Sequence, residues 1–210
     1  NGYSIKDKIL LNSLNKFVPQ YGINENSIVK SIQDLKYNDS MNVLFKEKEN
    51  ELIYFYLKNS RVELANSIKK DEEFNALTNE DDKLKYLMKK RLLLNLKLGE
   101  RILNYLILPK NISKSLDELM KLSDDFAFFS NDMSNDFAWY SKRFCIAMIY
   151  VKSELYMIND KSSGFKNTLK FLEDSIDRYS KLGYAYNETE KWAIFNGFSL
   201  INLIRSQLTR

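Results

Sequence analysis

The eight residues from Phe144 to Val151, FCIAMIYV, form the longest unbroken apolar run in the chain. On a helix such a run leaves no solvent face at that level, so it predicts a central post with the other helices packed round it. It is too short to cross a bilayer, which takes roughly 20 apolar residues, and Lys142, Arg143, Lys152 and Glu154 bracket it. The aromatic pair Trp139 and Tyr140 stands at its entrance, beside Lys142 and Arg143. The whole stretch from Asn135 to Leu172 is the segment round which the rest of the chain is organised.

The remaining sequence supplies helices to pack on that post. Only 6 Gly and 2 Pro occur in 210 residues, too few for the turns of a sheet protein, and the apolar residues recur at helical spacing. The expectation is an all-α bundle built as one compact domain, with a terminal helix appended. Three chemistries drop out. With no His, neither a Ser-His-Asp triad nor a His-ligated zinc nor a carboxylate-histidine di-iron centre can form within the chain. The single Cys145 lies inside the apolar run and reads as core. With 32 basic and 28 acidic residues interspersed, the net charge of +4 demands neither a nucleic acid nor a membrane as partner.

A first helix is expected over about Ile5–Gln20, a turn at Tyr21-Gly22, a second helix over Glu25–Leu35, a short third from Ser40 to Phe45, and a fourth carrying Leu52, Ile53, Phe55, Tyr56 and Leu57. This order resembles the N-terminal helix-turn-helix of the TetR regulator family. A DNA reader needs cations or short polar groups where its recognition helix meets phosphate. The corresponding Asn38–Phe45 stretch has no basic residue and one acid, Asp39, of the wrong sign. The helix-turn-helix is therefore read as degenerate, over residues 1–58, with no nucleic acid as partner. A TetR-like regulator sensing an apolar effector is the alternative.

The acids at Asp71–Glu73 and Glu80–Asp82 read as a loop and a capped helix start rather than a metal or acid-base site. The helix that follows, Lys83 to Leu108, turns leucine-rich after Arg91 and ends at Pro109. Its apolar face suits a core, a ligand cavity or a dimer surface. Ser115-Leu116-Asp117-Glu118 has the spacing of a capping box for the next helix, and a regular helix from Phe165 to Leu182 places Phe165, Leu169, Leu172, Ile176 and Tyr179 inward. The last segment, Asn187–Arg210, is amphipathic: either the last docked helix of the bundle or an interfacial membrane helix with cations near lipid phosphate.

Several motifs then carry a second resemblance. Asp136–Arg143, Ile149-Tyr150, Glu154-Leu155, Asp160–Ser163, Thr168–Glu173 and the turn Leu108–Ile112 are similar to the ninth Coq family, accessory proteins of coenzyme Q (ubiquinone) biosynthesis. The similarity spans nearly the whole chain. It implies a TetR-like fold, no catalysis and no cofactor or metal, peripheral attachment to the matrix side of the mitochondrial inner membrane, and binding of an isoprenoid lipid or ubiquinone intermediate. The implied protein partners are the demethoxyubiquinone hydroxylase and the biosynthetic complex, with a homodimer left open. Residues 59–186 would form the lipid-binding body and 187–210 the membrane helix. The implied partner surface is Phe126, Trp139, Tyr140 and Arg143, although aromatic side chains at such positions also serve as core anchors. The groove is expected to use Leu94, Leu98, Ile102, Met148 and Phe171, and the membrane contact Trp192, Phe195, Phe198, Ile201 and Arg205.

Overall fold

The computed structural model describes residues 4–95, 111–132 and 136–182; among these the regular structure is entirely helical. The described residues fall into two compact units, one within Asn1–Glu63 and Leu94–Ser115, the other within Leu64–Leu93 and Leu116–Arg210.

In the first unit α1 (Ile5–Asn12) is closed at its start by a capping box in which Ser4 and Asp7 satisfy each other's backbone amides. A π-helical turn, Ser13–Phe17, leads into α2 (Val18–Tyr21). Pro19 has no N–H to give to the carbonyl one turn back, and the helix widens just before it, with Val18 bonding to Ser13 instead. Gly22 then turns the chain at φ 79° and ψ −176°, a conformation glycine enters without strain. Asn24 caps α3 (Glu25–Asp34), whose Ser31 hydroxyl donates to the Ile9 carbonyl at 2.6 Å and pins α3 to α1. The expected short third helix is a 3₁₀ segment, Asp39–Leu44, entered through Asn38. Ile9, Ile28, Ile32, Phe45, Leu52 and Ile53 are the buried centre of this unit, the last two from the first half of α4 (Glu49–Ile68).

The second unit holds a short helix missing from the sequence reading, α5 (Glu72–Ala76), capped by Asp71. Asp71 also accepts from Lys90 and from the Tyr86 hydroxyl, at 2.5 and 2.8 Å. The Lys90 ammonium, then that hydroxyl, hold its carboxyl down to about 2. α6 (Glu80–Asn95) starts three residues before the expected Lys83, its acids forming the first turn where the helix dipole favours them. α7 (Ile112–Phe129) starts before the expected capping box: Ser115 lies inside the helix and its hydroxyl donates to the Asn111 carbonyl. α8 (Asp136–Ile158) is the post, and α9 (Lys166–Leu182) packs along it.

The post is buried as expected over Cys145–Tyr150, but Phe144, at the start of the run, is 40% exposed. A helix buried at one level regains a solvent face within a turn, and Phe144 sits on that face. Burial pushes the Cys145 thiol up to about 12, as fits a core residue. On α9, Leu172, Ile176 and Tyr179 point inward. At its start Asp160 accepts from the Ser162 amide and from the amide and hydroxyl of Thr168, which hold its carboxyl well below the usual range.

Candidate functional site

The N-terminal half of α8 presents Trp139, Tyr140, Arg143 and Phe144. Spacings of one, four and five residues put Tyr140 and Phe144 one turn apart on the same face. Tyr140 is 67% exposed, and its ring meets the half-buried Trp139 edge-on, with centroids 4.7 Å apart. The Arg143 guanidinium lies over the Trp139 ring at 3.8 Å, and its Nη1 donates to the Trp139 carbonyl at 3.2 Å.

Arg143 itself is fixed. Its Nε donates to Asp124 Oδ1 at 2.7 Å and its Nη1 to Asp132 Oδ2 at 3.1 Å. Asp132, whose side chain is 1% exposed, also accepts from Lys142 at 2.9 Å, and Lys142 is paired in turn with Glu80. Burial works against the Lys142 charge, but the Glu80 and Asp132 carboxylates outweigh it and hold its pKa above the ordinary lysine range. Ser123 donates to the Arg143 carbonyl and ties α7 to this turn of α8. The result is two aromatic rings, one largely in solvent, over ion pairs centred on the buried Asp132 and Arg143.

Three of the four residues expected on the partner surface therefore lie together, with Trp139 and Tyr140 reaching solvent and Arg143, 6% exposed, buried beneath them, and Phe126 does not join them. Phe126 is 1% exposed, with its ring 5.5 Å from that of Tyr150 in the core of the second unit, so it has no face to offer a partner; Phe144, 40% exposed, is the apolar side chain one turn from Tyr140. The anchoring carboxylate Asp132 went unnoticed in sequence because it sits in a polar connector with no motif. It is aimed at the post by the turn after α7, where Asn131 adopts φ 67°.

Of the residues expected in a lipid groove, Met148 is buried in the core and Phe171 is half-buried, stacked on Tyr156 at 4.9 Å. Leu94 is half-buried in the first unit, where its carbonyl accepts from the Tyr56 hydroxyl. Leu98, Ile102 and the whole membrane-helix set, Trp192, Phe195, Phe198, Ile201 and Arg205, lie outside the described residues. Among the described residues no helix is long and apolar enough to cross a membrane, and no group of three His, Cys, Asp or Glu could hold a metal.

The segment that carries this surface, residues 112–183, matches the model of the COQ9 family. Over 97% of its length the chain is 34% identical to the ubiquinone biosynthesis protein COQ9, mitochondrial, of Saccharomyces cerevisiae, covering 84% of that protein. The chain belongs to the COQ9 family. The COQ9 of Schizosaccharomyces pombe is 31% identical over 96% of the chain and 81% of that protein. Human COQ9 is 28% identical over 89% of the chain, which spans 61% of the human protein. In fold this COQ9-family chain is similar to a TetR transcriptional regulator from Nitrosomonas europaea, with a TM-score of 0.63, 85% of this chain and all of that one covered, and 10% identity. The fold is thus TetR-like and all-α.

Proposed function

We propose that this chain is a non-catalytic accessory protein of ubiquinone biosynthesis. It works peripherally at the matrix side of the mitochondrial inner membrane, binds an isoprenoid intermediate there, and presents it to the demethoxyubiquinone hydroxylase. The relatives are named as mitochondrial ubiquinone biosynthesis proteins, which supports the pathway and the compartment. The observation that carries the role is the α8 surface, in which a Tyr140 67% exposed is braced by a Trp139 fixed from beneath by Arg143. An aromatic pair held in place beside an arginine loses little side-chain freedom on docking, which is what makes such groups interface anchors.

The chemistry asked of the chain is physical. Exposing an isoprenoid tail to water costs about 0.8 kcal/mol per CH₂, so a groove that shields the tail lowers the cost of lifting the headgroup toward an enzyme. Leu94, Leu98, Ile102, Met148 and Phe171 are the proposed groove residues. Trp192, Phe195, Phe198, Ile201 and Arg205 are the proposed membrane contacts, placed on the amphipathic C-terminal segment. Regulation of transcription is the weaker reading, because the 3₁₀ segment at the recognition position carries Asp39 and no cation.

Capture of the hydroxylase by the purified chain tests the proposal. Tyr140→Ala is expected to weaken capture at least tenfold, Trp139→Ala by as much, and the wild-type chain is expected to yield prenyl lipid on solvent extraction. Undiminished capture by both folded variants, or extracts that never contain prenyl lipid, would overturn it.

A further inference from the structure

A concave site lies in the second unit, with Asp132, the carboxylate that holds Lys142 and Arg143, in its lining. Where α4 ends, α5 turns and α7 finishes, the structure leaves an open pocket of about 700 Å³. That volume is in the range of about 300–1,000 Å³ typical of small-molecule sites. Its walls are Ile68, Phe74, Phe128 and Phe129, with Lys69 and Lys83 among the lining residues. Phe128 is the most exposed aromatic side chain among the described residues, at 72%, and it leans edge-on against Phe129 with centroids 5.2 Å apart. A ring left that far in water at the wall of a pocket is apolar area still to be covered.

The charges sort in one direction. Among the described residues neither Lys69 nor Lys83 makes an ion pair, whereas Asp132, Glu80 and Asp71 are each engaged by a cation. Asp132, the acid in the lining, is held by Lys142 and Arg143; Glu80 is taken by Lys142, and Asp71 by Lys90. The pocket thus offers apolar rings and two cations in need of a counter-charge. We propose that it binds an amphipathic anion, an aromatic ring or short acyl chain carrying one carboxylate or phosphate, with the apolar part against Phe74, Phe128 and Phe129 and the anionic head between Lys69 and Lys83. Of the groove residues that are described, Leu94, Met148 and Phe171, none lines it.

Calorimetric titration of the full chain with decanoate, decyl phosphate, 1-decanol and inorganic phosphate tests this. Decanoate or decyl phosphate is expected to bind saturably at one site, with 1-decanol and inorganic phosphate at least tenfold weaker. The stronger of the two anions names the headgroup as carboxylate or phosphate. The double variant Lys69→Gln/Lys83→Gln and, separately, Phe128→Ser are expected to weaken that site at least tenfold with unchanged helix content, since all three side chains reach solvent. An unaltered isotherm in the lysine double variant, equal affinity for 1-decanol and decanoate, or no saturable binding at all would overturn the assignment. The same variants are expected to capture the hydroxylase normally, which separates failure here from failure of the proposed function.

Discussion

Asp132 is the residue on which the candidate surface rests. It is a buried carboxylate between two cations on consecutive positions of α8, Lys142 and Arg143, and through Arg143 it fixes the Trp139 ring. Removing a buried partner strands charge, so Asp132→Ala is expected to cost about 2–4 kcal/mol in urea denaturation, with Glu80 and Asp124 still partly compensating the two cations. The same variant is expected to loosen Trp139 and to weaken hydroxylase capture while leaving the side chains of Trp139 and Tyr140 untouched. A stability loss under about 0.5 kcal/mol would show that the ion pairs do not anchor the surface. Trp139, Tyr140 and Arg143 were legible in sequence, as aromatics and a cation at the mouth of an apolar run. Asp132 was not, because its partners lie 10 and 11 positions further along and are brought to it by a turn in which Asn131 takes a left-handed conformation.

Among the elements, α3 and α9 were readable from their apolar stripes at helical spacing, and the post from its unbroken apolar run. At two helix starts a local sequence signal is outweighed by its neighbours. The capping-box pattern at Ser115–Glu118 lies inside α7, its Ser115 hydroxyl bonded one turn back, and α6 begins three residues before the expected Lys83, with the acids of the expected capped helix start forming its first turn. Periodicity also cannot tell a ring that faces the core from one that faces a partner. Phe126 and Phe129 lie within a turn of each other, yet Phe126 is the fully buried one and packs on Tyr150. Phe126→Ala is therefore expected to cost about 3–5 kcal/mol of unfolding free energy, as deletion of a fully buried ring does. Its folded fraction is expected to capture the hydroxylase as well as wild type. A variant of near wild-type stability that fails to capture the hydroxylase would return Phe126 to the surface.

At the scale of the molecule, family and fold were accessible from motifs spread over the whole length, because they are conveyed by many residues at once. The pocket beside Phe128 was not, since it is made by the ends of elements that are separate in sequence. The TetR-like fold itself carries no instruction to bind DNA. A duplex-binding protein neutralises several phosphates, and each one neutralised lowers the slope of log affinity against log salt by about 0.9. In this chain the segment at the recognition position, Asp39–Leu44, exposes Val43 and Leu44 rather than cations, and Lys48, beyond it, is paired with Glu25 at 2.8 Å. The formal charge of +4 is spread over 32 basic and 28 acidic residues, which leaves only weak, diffuse attraction to a polyanion. In a duplex titration from about 50 to 200 mM salt, the chain is expected to show no saturable complex and a slope shallower than about −2. A saturable complex with a slope near −6 or steeper would mean that phosphates are met in number by cations other than those of the recognition segment, and would restore the regulatory reading.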